Sequence, residues 1–412
     1  MQNTAETGPD APIDMTPLLD DPYAACAALR DAGPVHRITG ADGQPAWLVT
    51  RYDDVRRAFA DPRLSLDKRH ATPNGYRGFA LPPALDANLL NMDPPDHTRV
   101  RRLVAKAFTT GRVEALRAPV RRTADELLSA MAERGQADLI GDYAGPLSIA
   151  VICDLLGIPH RDRPDFLAWS DSLITPDPSR PELMKEAIGA MLTFYTGLIA
   201  AKRAEPGDDL LSDLIAVRDE TGPGEVAPGG ESDRLTEDEL TSLAFLILFA
   251  GYESTAHLIG NAALALLDHP DQLRQLARNP AELPAAVEEF LRFDNPYPVA
   301  IRRFPTEDME IGGVRIPAGD SVLLSIASAN RDPARFPDPD TLDRGRDLSG
   351  HLGMGHGIHH CLAAPLARLE AVTALDALLG RFPELRLAVP RGDLRHRRAL
   401  RARGLISLPV AW

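Results

Sequence analysis

Cys361 closes a glycine-rich run, His351-Leu-Gly-Met-Gly-His-Gly-Ile-His-His-Cys361, and helical periodicity begins directly after it in Leu-Ala-Ala-Pro-Leu-Ala-Arg368. A cysteine at a helix N-terminus meets unpaired N–H groups and the positive end of the helix dipole, both of which favour the thiolate. Gly353, Gly355 and Gly357 let the backbone turn tightly and approach a flat ligand. A thiolate shielded by backbone donors suits an axial iron ligand that pushes electron density toward bound oxygen. Two other readings stay open on these residues alone. A free cysteine is often just a small buried hydrophobe. His356, His359, His360 and Cys361 also offer zinc donors, although adjacent residues reach one tetrahedral ion with difficulty and no second ligand pair stands out.

Three further groups of residues carry chemistry. Thr236-Glu-Asp-Glu239 is a capping box that opens a helix of about 32 residues, ending at His269-Pro270. Leu243 to Ala250 is apolar all round, so the helix is buried there. Ala250-Gly251-Tyr252-Glu253-Ser254-Thr255 then places an acid beside two hydroxyls, which suits either proton delivery to bound oxygen or a polar face touching solvent. Glu289-Phe-Leu-Arg292 is an i,i+3 ion pair on a short helix begun near Pro284, a spacing that is common on solvated faces. His97 and Arg101 lie four apart at the start of the helix after Asp93-Pro-Pro-Asp96; they point the same way and suit either an anionic group or the surface.

The elements that must position these groups are mainly helical. Periodicity is helical almost throughout from Asp96 to about Leu267, with one Gly/Pro/acid break, residues 219–233, expected to be a flexible surface loop. A hairpin is expected from Val35–Ile38, a turn at Gly40–Gly43, and Ala46–Thr50; residues 1–20 read as a loose arm and Tyr52–Ala60 as a helix. Residues 61–90 form a long irregular connection whose apolar side chains suit a lid over a binding site. Short strands recur near Val299–Phe304, Met309–Ile316 and Val322–Ile326, and a last helix spans roughly Leu362 to Leu379, followed by β segments around Leu385–Val389 and Leu400–Leu408. The arginines from Arg391 to Arg403 read as a solvated hairpin, with docking of a partner as the alternative. The expected fold class is therefore mainly α with small β-sheets in a single domain.

Composition excludes several classes. A formal charge of −14 over 412 residues speaks against a nucleic-acid surface and against an anionic membrane. Cys26, Cys153 and Cys361 lie far apart, which is no disulfide framework and points to a reducing cytoplasm. Met1–Asp14 lacks an apolar stretch, so no signal peptide is expected. The longest apolar run falls well short of the ~20 residues of a membrane helix.

In this order and at these distances, the four patterns resemble the cytochrome P-450 superfamily over nearly the whole chain, and most of all its soluble actinomycete-type members. The resemblance implies haem b with Cys361 as the proximal metal ligand. It implies propionate contacts from His97, Arg101, Arg303 and His359, with Arg302 the alternative register for the third of these. Glu289, Arg292 and Arg346 become a structural brace on the proximal side, and Glu253 with Ser254 an acid–alcohol pair near oxygen.

Three departures from the family pattern accompany this. Met354 stands for the usual Phe, and Ala363 for the usual Gly. Ser254 replaces the usual Thr and loses the methyl that fixes the rotamer, so Thr255 is available to share its role.

The implied activity is a dioxygen-dependent monooxygenase that hydroxylates or epoxidises a bulky apolar molecule, with electrons from a ferredoxin and its reductase. The substrate contacts expected are Phe79, Leu89, Leu173, Leu246, Ala250, Val299 and Leu405. A macrolide or other polyketide is the favoured substrate, with a steroid, terpenoid or fatty acid as alternatives. The reading from another class is a non-catalytic haem-binding protein, against which Glu253-Ser254-Thr255 speaks.

Overall fold

Val35–Thr39 (β1) and Pro45–Val49 (β2) pair as an antiparallel hairpin, with Val35 opposite Val49. Val322–Leu324 (β8) adds to β2 in parallel. The computed structural model describes residues 13–40, 43–73, 75–76, 81–106, 108–174, 180–219 and 234–412. Their contacts form two compact units, one of Met1–Phe79, Gly260–Cys361 and Pro390–Ile406, the other of Ala80–Ile259, Leu362–Val389 and Ser407–Trp412.

The first unit holds most of the sheet. Leu64–Ser65 (β3) pairs with Phe304–Pro305 (β5), and Met309–Ile311 (β6) with Val314–Ile316 (β7). Its core packs Val49, Tyr52, Val55, Val322, Leu324, Phe336 and Leu352 together. Burial of each such side chain contributes about 1.5–3 kcal/mol. Two expectations change here. The arm is anchored from Ile13, which bridges Ile38, and Thr16–Asp20 is helical. The connection 61–90 is not one free loop either. It starts as strand β3, with Leu64 and Leu66 buried, and carries a helical turn at Pro83–Asp86. Phe79 lies outside the described residues, as do residues 220–233, where the surface loop is expected.

The second unit is helical. Arg117–Ala132 turns Val120, Ala124, Leu128 and Met131 inward, an i, i+4, i+8, i+11 stripe, and packs along Ala364–Arg381. The Tyr143 hydroxyl donates to the Ala374 carbonyl at 2.7 Å. A small strand missing from the sequence reading, Gln136–Asp138 (β4), interrupts the helices. It pairs with Pro409–Ala411 (β10), whose other neighbour is Arg386–Leu387 (β9).

Glu237–Asp268 runs 32 residues, roughly 48 Å. Its capping box is reciprocal: Glu239 N–H donates to Thr236 Oγ1 at 3.1 Å, and Thr236 N–H to Glu239 Oε2 at 2.8 Å. By length and composition it is the one helix among the described residues able to cross a membrane, and most of its apolar window is buried inside the protein.

Candidate active site

The segment before Cys361 is fixed by its own backbone. Gly355 N–H donates to Leu352 O, and Cys361 N–H to Met354 O, each at 2.9 Å. A single 3-10 turn, Gly357–His359, lies between them. Gly357 has φ 72°, and a Cβ there would stand 2.9 Å from Phe59 O, so only glycine fits. Cys361 is half-buried and in no disulfide, and regular helix begins at Ala364, two residues later than the periodicity suggested. Ala363 sits at φ −85°, ψ 11°, a conformation open to any L-residue, so its methyl imposes no backbone strain. Among the described residues no three His, Cys, Asp or Glu side chains converge as metal ligands, which removes the basis for zinc.

Two adjacent arginines of the same unit are sorted by their strand-like backbone. Arg303 exchanges both backbone hydrogen bonds with Val322, and alternation then sends Arg302 the other way. Arg303 is 3% exposed, its guanidinium 4.8 Å from the Phe59 ring centre. Arg302 lies 5.2 Å over Tyr76 and donates to Ser321 Oγ at 3.3 Å. His359, on the 3-10 turn, is half-buried.

In the other unit, His97 (1% exposed) and half-buried Arg101 sit one turn apart on the helix Asp96–Ala105. Burial, aided by the Arg101 charge, holds the His97 pKa below its ordinary value.

On the long helix, Ser254 Oγ donates to Ala250 O at 2.7 Å and Thr255 Oγ1 to Gly251 O at 3.0 Å. Gly251 is explained by packing: a Cβ would stand 2.6 Å from Ile152 Cδ1 of the helix Gly145–Leu156. Glu253 is buried, with His257 Nε2 4.0 Å from its carboxylate one turn on. The sequence reading passed over His257, although its i,i+4 spacing from Glu253 was a signal.

Glu289 and Arg292 are fully buried on Leu283–Phe293 and form a two-pronged pair, both contacts at 2.7 Å. Arg292 also donates to the carbonyls of Asn330 and Pro339, and Asp343 N–H donates to Glu289. Arg346 Nε stands 3.8 Å from Glu289.

Of the expected substrate contacts, Leu89, Val299 and Leu405 are buried, while Leu246 and Ala250 are half-buried. The exposed apolar side chain beside Leu405 is Ile406. Leu173 lies at the end of the helix Arg163–Ile174, its side chain outside the described residues. The basic stretch near the C-terminus is only partly solvated. Arg403 is largely buried, its Nε donating at 2.7 Å to Asp294, which also accepts the Tyr23 hydroxyl at 2.6 Å.

The donor set fits a haem: a thiol on a backbone-shielded loop for the metal, and cationic or N–H-bearing side chains for two carboxylates. The family model for cytochrome P450 matches residues 182–391. The chain is 46% identical over 390 residues to the vitamin D(3) 25-hydroxylase of Pseudonocardia autotrophica, covering 95% of this chain and 93% of that protein. It is also 46% identical to the P450 monooxygenase PikC of Streptomyces venezuelae, covering 95% and 91%. The structure of the tirandamycin C-bound monooxygenase TamI superposes with a TM-score of 0.87 at 43% identity, covering 97% of this chain and all of that one. Sequence, fold and donor set agree, and the chain belongs to the cytochrome P450 family of haem monooxygenases.

Proposed function

We propose that this monooxygenase tailors a bulky apolar natural product, a macrolide or other polyketide, in the cytoplasm, and that all 412 residues act as a single domain. The carrying observation is end-to-end similarity to enzymes of that kind: PikC, the 6-deoxyerythronolide B hydroxylase of Saccharopolyspora erythraea at 44% identity, and the mycinamicin IV hydroxylase/epoxidase of Micromonospora griseorubida at 42%. The equally similar vitamin D(3) 25-hydroxylase supports a steroid-like substrate as the second reading.

Cys361 would hold the iron of haem b from one side through its thiolate. Arg303, His359, Arg101 and His97 would hold the propionates, the arginines by charge and the histidines by ring N–H groups. When bound, the haem supplies reductive dioxygen activation: two electrons and two protons are consumed, one oxygen atom enters a C–H or C=C bond and the other leaves as water. Glu253 collects protons, and Ser254, its own proton committed to Ala250 O, accepts a hydrogen bond from the water that carries them inward; Thr255 shares this role. The apolar side chains offered to the substrate would be Leu89, Leu246 and Ala250 from one unit and Val299 and Leu405 from the other. A ferredoxin with its reductase supplies the electrons.

Difference spectra against macrolides, polyketide lactams and steroids test the substrate, with product mass measured using a surrogate ferredoxin. A macrolide or lactam that displaces iron-bound water and gains one oxygen supports the main reading. Response to steroids alone favours the second. A Cys361→Ala variant that keeps porphyrin and the parent's carbonyl-adduct band overturns both.

A further inference from the structure

We propose that His351 is a positioning residue of the cysteine loop, tying the helix Leu283–Phe293 to the backbone that presents Cys361. Its effect on the metal rests on the haem-thiolate reading above. Two neighbouring acids of that helix point about 100° apart and do different work. Glu289 faces Arg292, whereas the Glu288 carboxylate lies 2.9 Å from His351 Nε2. On the other side of the ring, Gly353 N–H donates to His351 Nδ1 at 3.1 Å. A backbone amide only donates, so Nδ1 carries a lone pair, and the ring proton sits on Nε2 and is given to Glu288. Both nitrogens are thereby committed, and the ring orientation is set by a carboxylate, the device that orients histidines around metals.

The clamp is continuous with the ligand. Leu352 N–H donates to Asn330 Oδ1 at 2.7 Å, and Asn295 Nδ2 donates to Gly353 O at 3.0 Å. Positions 351, 352 and 353 are therefore each held by a side chain from another element. The next residue, Met354, accepts the Cys361 N–H at 2.9 Å. The imidazole thus fixes the 352–353 peptide and Asn295 the 353–354 peptide, which lead directly into the Met354 carbonyl that orients the cysteine amide, and with it the direction of Sγ. Two replacements separate the contacts: Asn places an oxygen near the Nδ1 position without reaching Glu288, and Phe fills the space with neither contact.

The test compares parent holoenzyme with His351→Phe, His351→Asn and Glu288→Gln. It measures haem content, circular dichroism, midpoint potential, and the fraction of ferrous carbonyl adduct with the thiolate-type band against the shorter-wavelength thiol-type band. We expect His351→Phe to keep its helical signal but show at least a fivefold larger thiol-type fraction and a shifted potential. His351→Asn should recover most of the parent behaviour, and Glu288→Gln should shift the same way by less. Parent-like bands and potentials in all variants overturn the inference, as does equal impairment in Phe and Asn. Should the Phe variant not fold, an unchanged spectrum and potential in Glu288→Gln overturns it. A parent that itself lacks the thiolate-type band overturns the haem-thiolate reading, and this inference with it.

Discussion

Ser254 donates its hydroxyl proton to the carbonyl of Ala250, one turn back on the same helix, at 2.7 Å. That bond leaves the oxygen lone pairs as the free functionality, so Ser254 acts as an acceptor for water and not as a donor. Removing the oxygen in Ser254→Ala should lower product per reductant consumed, by up to roughly 10²-fold, the lower end of the range for a lost proton-transfer group, since Thr255 shares the role. Ser254→Thr keeps the acceptor and stiffens the rotamer, and should couple at least as well as the parent. Simultaneous assay of cofactor oxidation and product decides this; unchanged coupling in the alanine variant rules the role out.

The Glu289–Arg292 pair has no solvent to fall back on. Replacing one partner strands the other charge, and Arg292→Leu or Glu289→Leu should each destabilise by about 3–5 kcal/mol. The double replacement Glu289→Leu/Arg292→Leu should cost clearly less than the sum. Denaturant midpoints for the four proteins give the coupling, and additivity would contradict the structure.

Gly251→Ala sets two effects against each other. Helix propensity favours alanine by about 1 kcal/mol. The new methyl, however, meets Ile152 Cδ1 at 2.6 Å, and overpacking of this kind costs about 1–3 kcal/mol. We expect net destabilisation, relieved by Ile152→Val in the same background. A stabilised single variant in chemical denaturation refutes the packing explanation.

Burial raises the Glu370 pKa to about 7, while the Ser148 hydroxyl bond at 2.6 Å works in the opposite direction. A carboxyl that binds its proton more tightly folded than unfolded adds stability in acid. That contribution is whole below pH 4.5, the ordinary value, and is lost as the pH rises through 7. Glu370→Gln should therefore flatten the loss of stability between pH 4.5 and 7, a loss of up to about 3 kcal/mol in the parent. Urea midpoints across that range provide the measurement, and parallel pH profiles for parent and variant would falsify the assignment.

Local features were readable in the amino-acid order. The capping box at Thr236–Glu239, the β1–β2 hairpin, the Tyr52–Ala60 helix and the glycine run before Cys361 follow from periodicity, caps and turns within a few residues. The short strand Gln136–Asp138 was missed because its pairing partner β10 lies more than 250 residues away in the chain. The residues after Asp61 looked like free loop because nothing local announces that Leu64–Ser65 pairs with Phe304–Pro305.

By itself, the sequence determined which groups carry the chemistry: a lone cysteine after glycines, an acid beside two hydroxyls, and a set of cations at family spacing. Only the tertiary structure decided what those groups contact. It buried Glu289 and Arg292, which spacing alone leaves on a solvated face. It gave Gly251 to Ile152, sent Arg302 and Arg303 to different neighbours, and closed the ring of His351 between Glu288 and Gly353. The reason is physical: spacing sets which residues share a face, but burial and hydrogen-bond partners come from chain segments that meet only once the core has formed.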